Sequence, residues 1–62
     1  MKITEMLNEM QEVLTLAMQD AEKFDTKGNA AAGTRVRKAM QDIKNLAQNV
    51  RTTVTEIKNE GK

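Results

Sequence analysis

The one loop-like stretch of this 62-residue chain is Asp25-Thr26-Lys27-Gly28-Asn29, which separates two segments of helical pattern. Gly28 can adopt the left-handed backbone conformation that ends a helix. Asn29 can then cap the next helix, because its side chain can accept a hydrogen bond from a free backbone N–H. We therefore expect one domain with two helices, over about 3–26 and 29–59, joined by a turn at about 26–29.

The segment before the turn carries apolar residues at alternating intervals of four and three. They are Ile3, Leu7, Met10, Leu14, Ala17, Ala21 and Phe24. A seven-residue repeat of this kind is typical of a helix with a packing seam. Acidic and amide side chains lie off this seam, so we expect them to face solvent.

The segment after the turn repeats Val36, Ile43, Val50 and Ile57 every seven residues. Because the connection is short, the two helices should lie antiparallel. A turn at Gly28 pairs Ala21 with Val36, Ala17 with Ala39, Leu14 with Ile43, Met10 with Leu46 and Leu7 with Val50. Small residues cluster near the turn, where the backbones should approach closely: Ala17, Ala21, Ala32, Gly33 and Ala39. The predicted fold class is all-α, an antiparallel two-helix hairpin of the coiled-coil type.

A hairpin of this size cannot cover its own apolar surface, and the chain has no Cys that could form a disulfide. Apolar side chains beside the two seams are therefore predicted to form an oligomer interface. They are Met6, Val13, Leu16, Met18, Met40, Ala47 and Val54. We expect a homodimer or higher oligomer, built as an antiparallel four-helix bundle. A different protein as the partner is the alternative.

Composition excludes most catalytic chemistry. Without His or Cys, the chain has no imidazole acid or base and no thiolate nucleophile. Two helices also offer little concavity for a small-molecule substrate. We expect no enzyme, no cofactor and no metal site. The sequence lacks an apolar run near 20 residues and a secretory signal, so we expect no membrane contact and an intracellular, cytoplasmic or nucleoid location.

The formal net charge of +1 hides a separation between the two segments. Residues 1–26 contain two cations against six acids, a net of −4. Residues 27–62 contain eight cations against three acids, a net of +5. Such asymmetry is a hint of a polyanion partner, although an acidic helix can also simply complement a basic one within the protein.

Four cations of the second segment also recur every seven residues: Arg37, Lys44, Arg51 and Lys58. They should form one line along the helix, about 10 Å apart. With Lys27, Arg35 and Lys38, they are the predicted contacts to the phosphates of double-stranded DNA. The single Phe offers no stacking platform for single strands. The alternative is that these side chains lie over the bundle seam and pair with Glu9, Glu12 or Glu56.

The stretch from Lys27 to Lys38, KGNAAAGTRVRK, resembles the signature of the chlamydial-type, linker-histone-like nucleoid proteins of bacteria. An acidic first helix, the block at residues 41–46 and the pair Val50-Arg51 extend the resemblance over roughly residues 5–58. It implies a helical module for DNA binding and chromosome condensation, in which Arg35, Arg37 and Lys38 match the basic block and Lys44 and Arg51 match more loosely. The long basic tail common in that family is not seen in this sequence, so we expect modest DNA affinity.

Two functional hypotheses follow. The first is an architectural, sequence-nonspecific DNA-binding protein that oligomerises and contacts phosphates through the second helix. The second is a self-associating helical module, structural or for protein interaction, with no nucleic-acid role.

Overall fold

The computed structural model describes residues 2–61 as two α-helices. Helix α1 comprises Lys2–Lys27 and helix α2 comprises Ala30–Glu60. They are joined by Gly28 and Asn29 and pack against each other as an antiparallel hairpin. The hairpin is a rod of about 53 × 16 × 11 Å. Most of its surface therefore lies along its two long sides. The all-helical hairpin predicted from the sequence is confirmed.

The turn follows from the local chemistry of two residues. Gly28 has φ +62°, and its N–H donates to the carbonyl oxygen of Phe24 at 2.9 Å, which closes the C-terminus of α1. Asn29 is extended, with φ −69° and ψ 107°, and its side-chain oxygen accepts the N–H of Ala32 at 3.1 Å. The cap satisfies one of the free N–H groups at the start of α2.

The helices approach most closely beside the turn. Ala17 and Ala32 are the two buried apolar residues within 2–61, with exposed fractions of 7% and 0%. The Phe24 ring lies directly over Gly33: a Cβ added at Gly33 would stand 2.7 Å from Cδ1 and Cε1 of that ring. Small residues are therefore required where the ring of one helix covers the backbone of the other.

The Gly33–Phe24 contact gives a prediction about stability. Gly33→Ala should lower the free energy of unfolding by about 1 kcal/mol, because overpacking costs about 1–3 kcal/mol while alanine gains about 1 kcal/mol in a helix. In a Phe24→Ala background the clash is gone, and the same substitution should raise stability by up to about 1 kcal/mol. Urea unfolding of the four variants at one protein concentration measures both effects. Equal effects in the two backgrounds would contradict this packing.

The seam of α1 differs from the predicted one. The hairpin half-buries or buries Ile3, Met6, Met10, Val13, Ala17, Asp20 and Ala21. Leu7, Leu14 and Phe24, which the sequence pattern placed in the seam, are about half exposed, at 50%, 48% and 49%. The physical reason is that Met6 and Val13 form a second apolar line directly beside Leu7 and Leu14. Helix α2 can cover only one of these two neighbouring lines, and it covers the one that contains Met6 and Val13.

Candidate nucleic-acid interface

The two long sides of the hairpin differ in chemistry. On one side, Nε of Arg35 donates to Oδ1 of Asp20 at 3.0 Å, which ties α2 to α1 across the seam. The same side has a shallow groove that is also lined by Leu16, Lys38 and Asp42. We call it the charged side. Because the arginine side chain is 52% exposed, solvent screens this pair, and such pairs add at most about 1 kcal/mol to stability.

The opposite side begins at a groove next to the turn. Ala21 and Phe24 of α1 line it together with Gly33, Val36 and Arg37 of α2. Positions seven residues apart lie on one line along a helix. The groove residues therefore identify the other residues on this side of the hairpin. From Ala21 the line runs to Leu14 and Leu7. From Gly33 it runs to Met40, Ala47 and Val54.

Large apolar side chains on this second side are exposed to solvent. Leu7, Leu14 and Met18 on α1 and Met40 and Val54 on α2 are between 38% and 61% exposed. With Ala47 they make a continuous apolar surface, which we call the apolar side. A surface of this kind on so small a protein is typical of a partner-binding site.

A line of cations borders the apolar side along α2. It starts at Arg37 in the groove and continues through Lys44, Arg51 and Lys58, which we call the basic stripe. All four residues are exposed, and successive members lie about 10 Å apart at 1.5 Å per residue. Within residues 2–61, the single ion pair is the one between Arg35 and Asp20. The stripe therefore presents its charges to solvent in this chain.

The seven cations predicted to contact DNA do not all share a surface. Lys27 is exposed at the end of α1, next to the turn. Arg35 and Lys38 line the charged side, away from the stripe, and Arg35 is engaged with Asp20. The structure thus brings Arg37 together with the three cations that follow it at intervals of seven, and separates the other members of the predicted set.

The residues predicted to form an oligomer interface are also divided. Met18, Met40, Ala47 and Val54 lie on the apolar side. Met6 and Val13 are half-buried in the hairpin seam, and Leu16 lines the charged side at 64% exposure. Leu7 and Leu14 lie on the apolar side although the sequence pattern assigned them to the seam. Their heptad spacing was visible in the sequence, but the rotation of α1 about its axis was not.

Within the described residues 2–61, neither helix combines the length and the apolar character needed to cross a membrane. Over the same range, no three acidic side chains are grouped so that they could hold a metal ion. The grooves along the hairpin are shallow and open, as expected between two helices.

A two-helix protein with one apolar and one charged side, and with a line of cations at the border, belongs to the class of small all-helical hairpin proteins. The comparison with family models is more specific: the model of histone H1-like protein Hc1 matches residues 4–60. The chain belongs to this family, which confirms the resemblance found at residues 27–38. Searches of curated proteins and of solved structures found no match.

Proposed function

We propose that this protein is an architectural DNA-binding protein of the nucleoid that contacts the phosphates of double-stranded DNA without reading the sequence. Membership of the histone H1-like family supports a DNA-binding role. The observation that carries the proposal is the basic stripe, four exposed cations on one helix line without an ion pair inside residues 2–61. The proposed role is binding and not catalysis.

The dimensions of the stripe suit a duplex. From Arg37 to Lys58 it extends about 32 Å, at 1.5 Å per residue, which is close to one turn of B-DNA at about 34 Å. Cations on flexible stems can follow a phosphate backbone without a fixed register, and such contacts position a protein but carry no sequence information. Phe24 is the only aromatic residue of the sequence, and one ring cannot provide the series of stacking surfaces on which successive bases of a single strand are held.

Oligomerisation is the second part of the proposal. A second copy would cover the apolar side, and the resulting homodimer would be a four-helix bundle with a basic stripe from each chain. Two weak phosphate-binding sites on one particle gain apparent affinity through effective concentration, with no new contact, wherever both sites can reach DNA at once, as on neighbouring segments of one long molecule. This gain matters for a chain whose net charge is only +1.

The test is a titration of duplex DNA at two salt concentrations. If four cations each neutralise one phosphate, the slope of log K against log salt is about −3.6, and affinity falls about 100-fold between 50 and 200 mM salt. Two duplexes of unrelated sequence should bind alike. The proposal is wrong for this chain if no complex forms at tens of micromolar protein in 50 mM salt.

The second candidate is a self-associating helical module that has no nucleic-acid role. The exposed apolar side supports it, because the need to cover that surface is independent of any DNA contact. In that case the stripe cations would pair with acids of a neighbouring chain. The chain would then assemble fully, and the DNA titration would show no salt-dependent complex.

A further inference from the structure

The surface area of the single chain is too large for a compact protein of its mass. It exposes 5101 Å² at 7.0 kDa, whereas a compact monomer of that mass exposes about 4,000 Å². The excess of about 1,000 Å² is similar to the roughly 800 Å² that each partner contributes to a stable protein interface. A second copy seated on the apolar side would remove an area of this size.

Two copies of the chain can be paired symmetrically, with the apolar side of one copy on the apolar side of the other, in two ways. In the first, each α2 lies on α2 of the second copy, and the two turns are at opposite ends of the bundle. In the second, each α2 lies on α1 of the second copy, and the two turns are at the same end. Neighbouring helices are antiparallel in both, so helix direction does not separate them.

Charge separates the two pairings. If α2 packs on α2 with Ala47 at the centre, Arg37 lies level with Lys58 of the other chain, and Lys44 lies level with Arg51. The two stripes would then repel along their whole length. If α2 packs on α1, each stripe adjoins the α1 line that borders the apolar side. That line is Thr4, Gln11, Met18 and Asp25, which contains no cation and one acid.

The levels of the side chains also fit the second pairing. The contacts of Asp20 with Arg35 and of Phe24 with Gly33 set the register of the hairpin. A two-fold axis along the rod keeps this register between copies. Leu14 then lies level with the gap between Met40 and Ala47 of the second copy, and Leu7 with the gap between Ala47 and Val54. The two leucines would thus enter gaps on either side of the small Ala47 side chain. This is the knobs-into-holes arrangement of helical bundles.

We infer that two copies pair across the apolar side with each α2 on α1 of the other copy, so that the basic stripes lie on opposite edges and the dimer bridges two DNA duplexes. The pairing rests on the apolar side and on the charge lines. The bridging rests, in addition, on the proposed DNA-binding function. In the rejected pairing both stripes would share one edge and serve a single duplex.

Spin labels measure the pairing without DNA. The chain has no Cys, so Lys44→Cys and Arg37→Cys each give one labelling site outside the apolar side. With interaxial distances of 8–10 Å, the inferred pairing places the two labels of a dimer about 20 Å apart at both sites. In the rejected pairing the two labels are offset along the bundle by about 10 Å at Lys44 and about 32 Å at Arg37. Together with the distance between the helix axes, this places them about 14 Å apart at Lys44 and about 33 Å apart at Arg37. Unequal distances, or no dipolar coupling in a concentrated sample, would overturn the inference.

A capture assay then tests the bridging. An immobilised duplex, saturated with protein and washed, should retain a second, fluorescent duplex at 50 mM salt. Equal label distances without any DNA binding would refute the proposed function and leave the pairing intact. Binding of the first duplex without capture of the second would refute the bridging, even if the label distances are equal.

Discussion

Leu14→Asp is expected to abolish self-association, whereas Leu16→Asp leaves it unchanged. Both side chains are on α1, and Leu16 is the more exposed, at 64% against 48%. They differ in side: Leu14 is at the centre of the apolar side, and Leu16 lines the charged side beside Asp20 and Lys38. An aspartate at position 14 would be desolvated in the proposed interface, while one at position 16 would stay in water.

The expected size of the Leu14→Asp effect follows from symmetry. Loss of a central interface side chain costs about 2 kcal/mol or more, and a symmetric dimer carries the substitution twice. About 4 kcal/mol corresponds to a roughly 1,000-fold rise in the dissociation constant. Since Ala17 and Ala32 are the only apolar residues that the isolated hairpin buries between positions 2 and 61, helix content should fall together with association.

Sedimentation equilibrium and circular dichroism over 1–100 µM protein measure both quantities. The wild type and Leu16→Asp should give the same dimer mass and the same helix content. A Leu14→Asp protein that dimerises as well as the wild type would exclude the apolar side as the interface. Equal loss in both variants would show that association does not distinguish the two sides of the hairpin.

The turn was predictable from the sequence because its chemistry is local. The turn requires a positive φ, which Gly28 tolerates, and an acceptor for the free N–H of Ala32, which the Asn29 side chain supplies. Both requirements involve only residues that are close together in the sequence. The hairpin followed, since two helices joined by two residues must return antiparallel. The Ala32 and Gly33 positions were also identifiable as small residues beside the turn.

The choice of seam was not predictable, because two apolar lines run side by side on α1. Met6 and Val13 repeat every seven residues, as do Leu7 and Leu14, and the seven-residue period fits both. Which line faces α2 depends on the rotation of α1, and that rotation is fixed by contacts between residues far apart in sequence. The pair of Asp20 with Arg35, 15 residues apart, is one such contact. The same contact places Arg35 on a different side from the stripe.

Replacing the whole basic stripe is expected to remove DNA binding while the protein still folds and assembles. The variant carries Arg37→Ala, Lys44→Ala, Arg51→Ala and Lys58→Ala. Four lost phosphate contacts would reduce the salt slope by about 3.6 and weaken binding at 50 mM salt at least about 100-fold. Alanine is the best helix former, and all four positions are exposed, so helix content should be retained.

A control of equal charge makes the test specific to position. Lys2→Ala, Lys23→Ala, Arg35→Ala and Lys38→Ala also remove four cations, and both variants change the formal net charge from +1 to −3. None of these residues belongs to the stripe, and Arg35 and Lys38 line the charged side. If net charge alone governed binding, the two variants would lose affinity equally. Because phosphate contact needs cations on one surface, we expect the control to keep most of its affinity and salt slope, and equal losses would exclude the stripe as the DNA-binding surface.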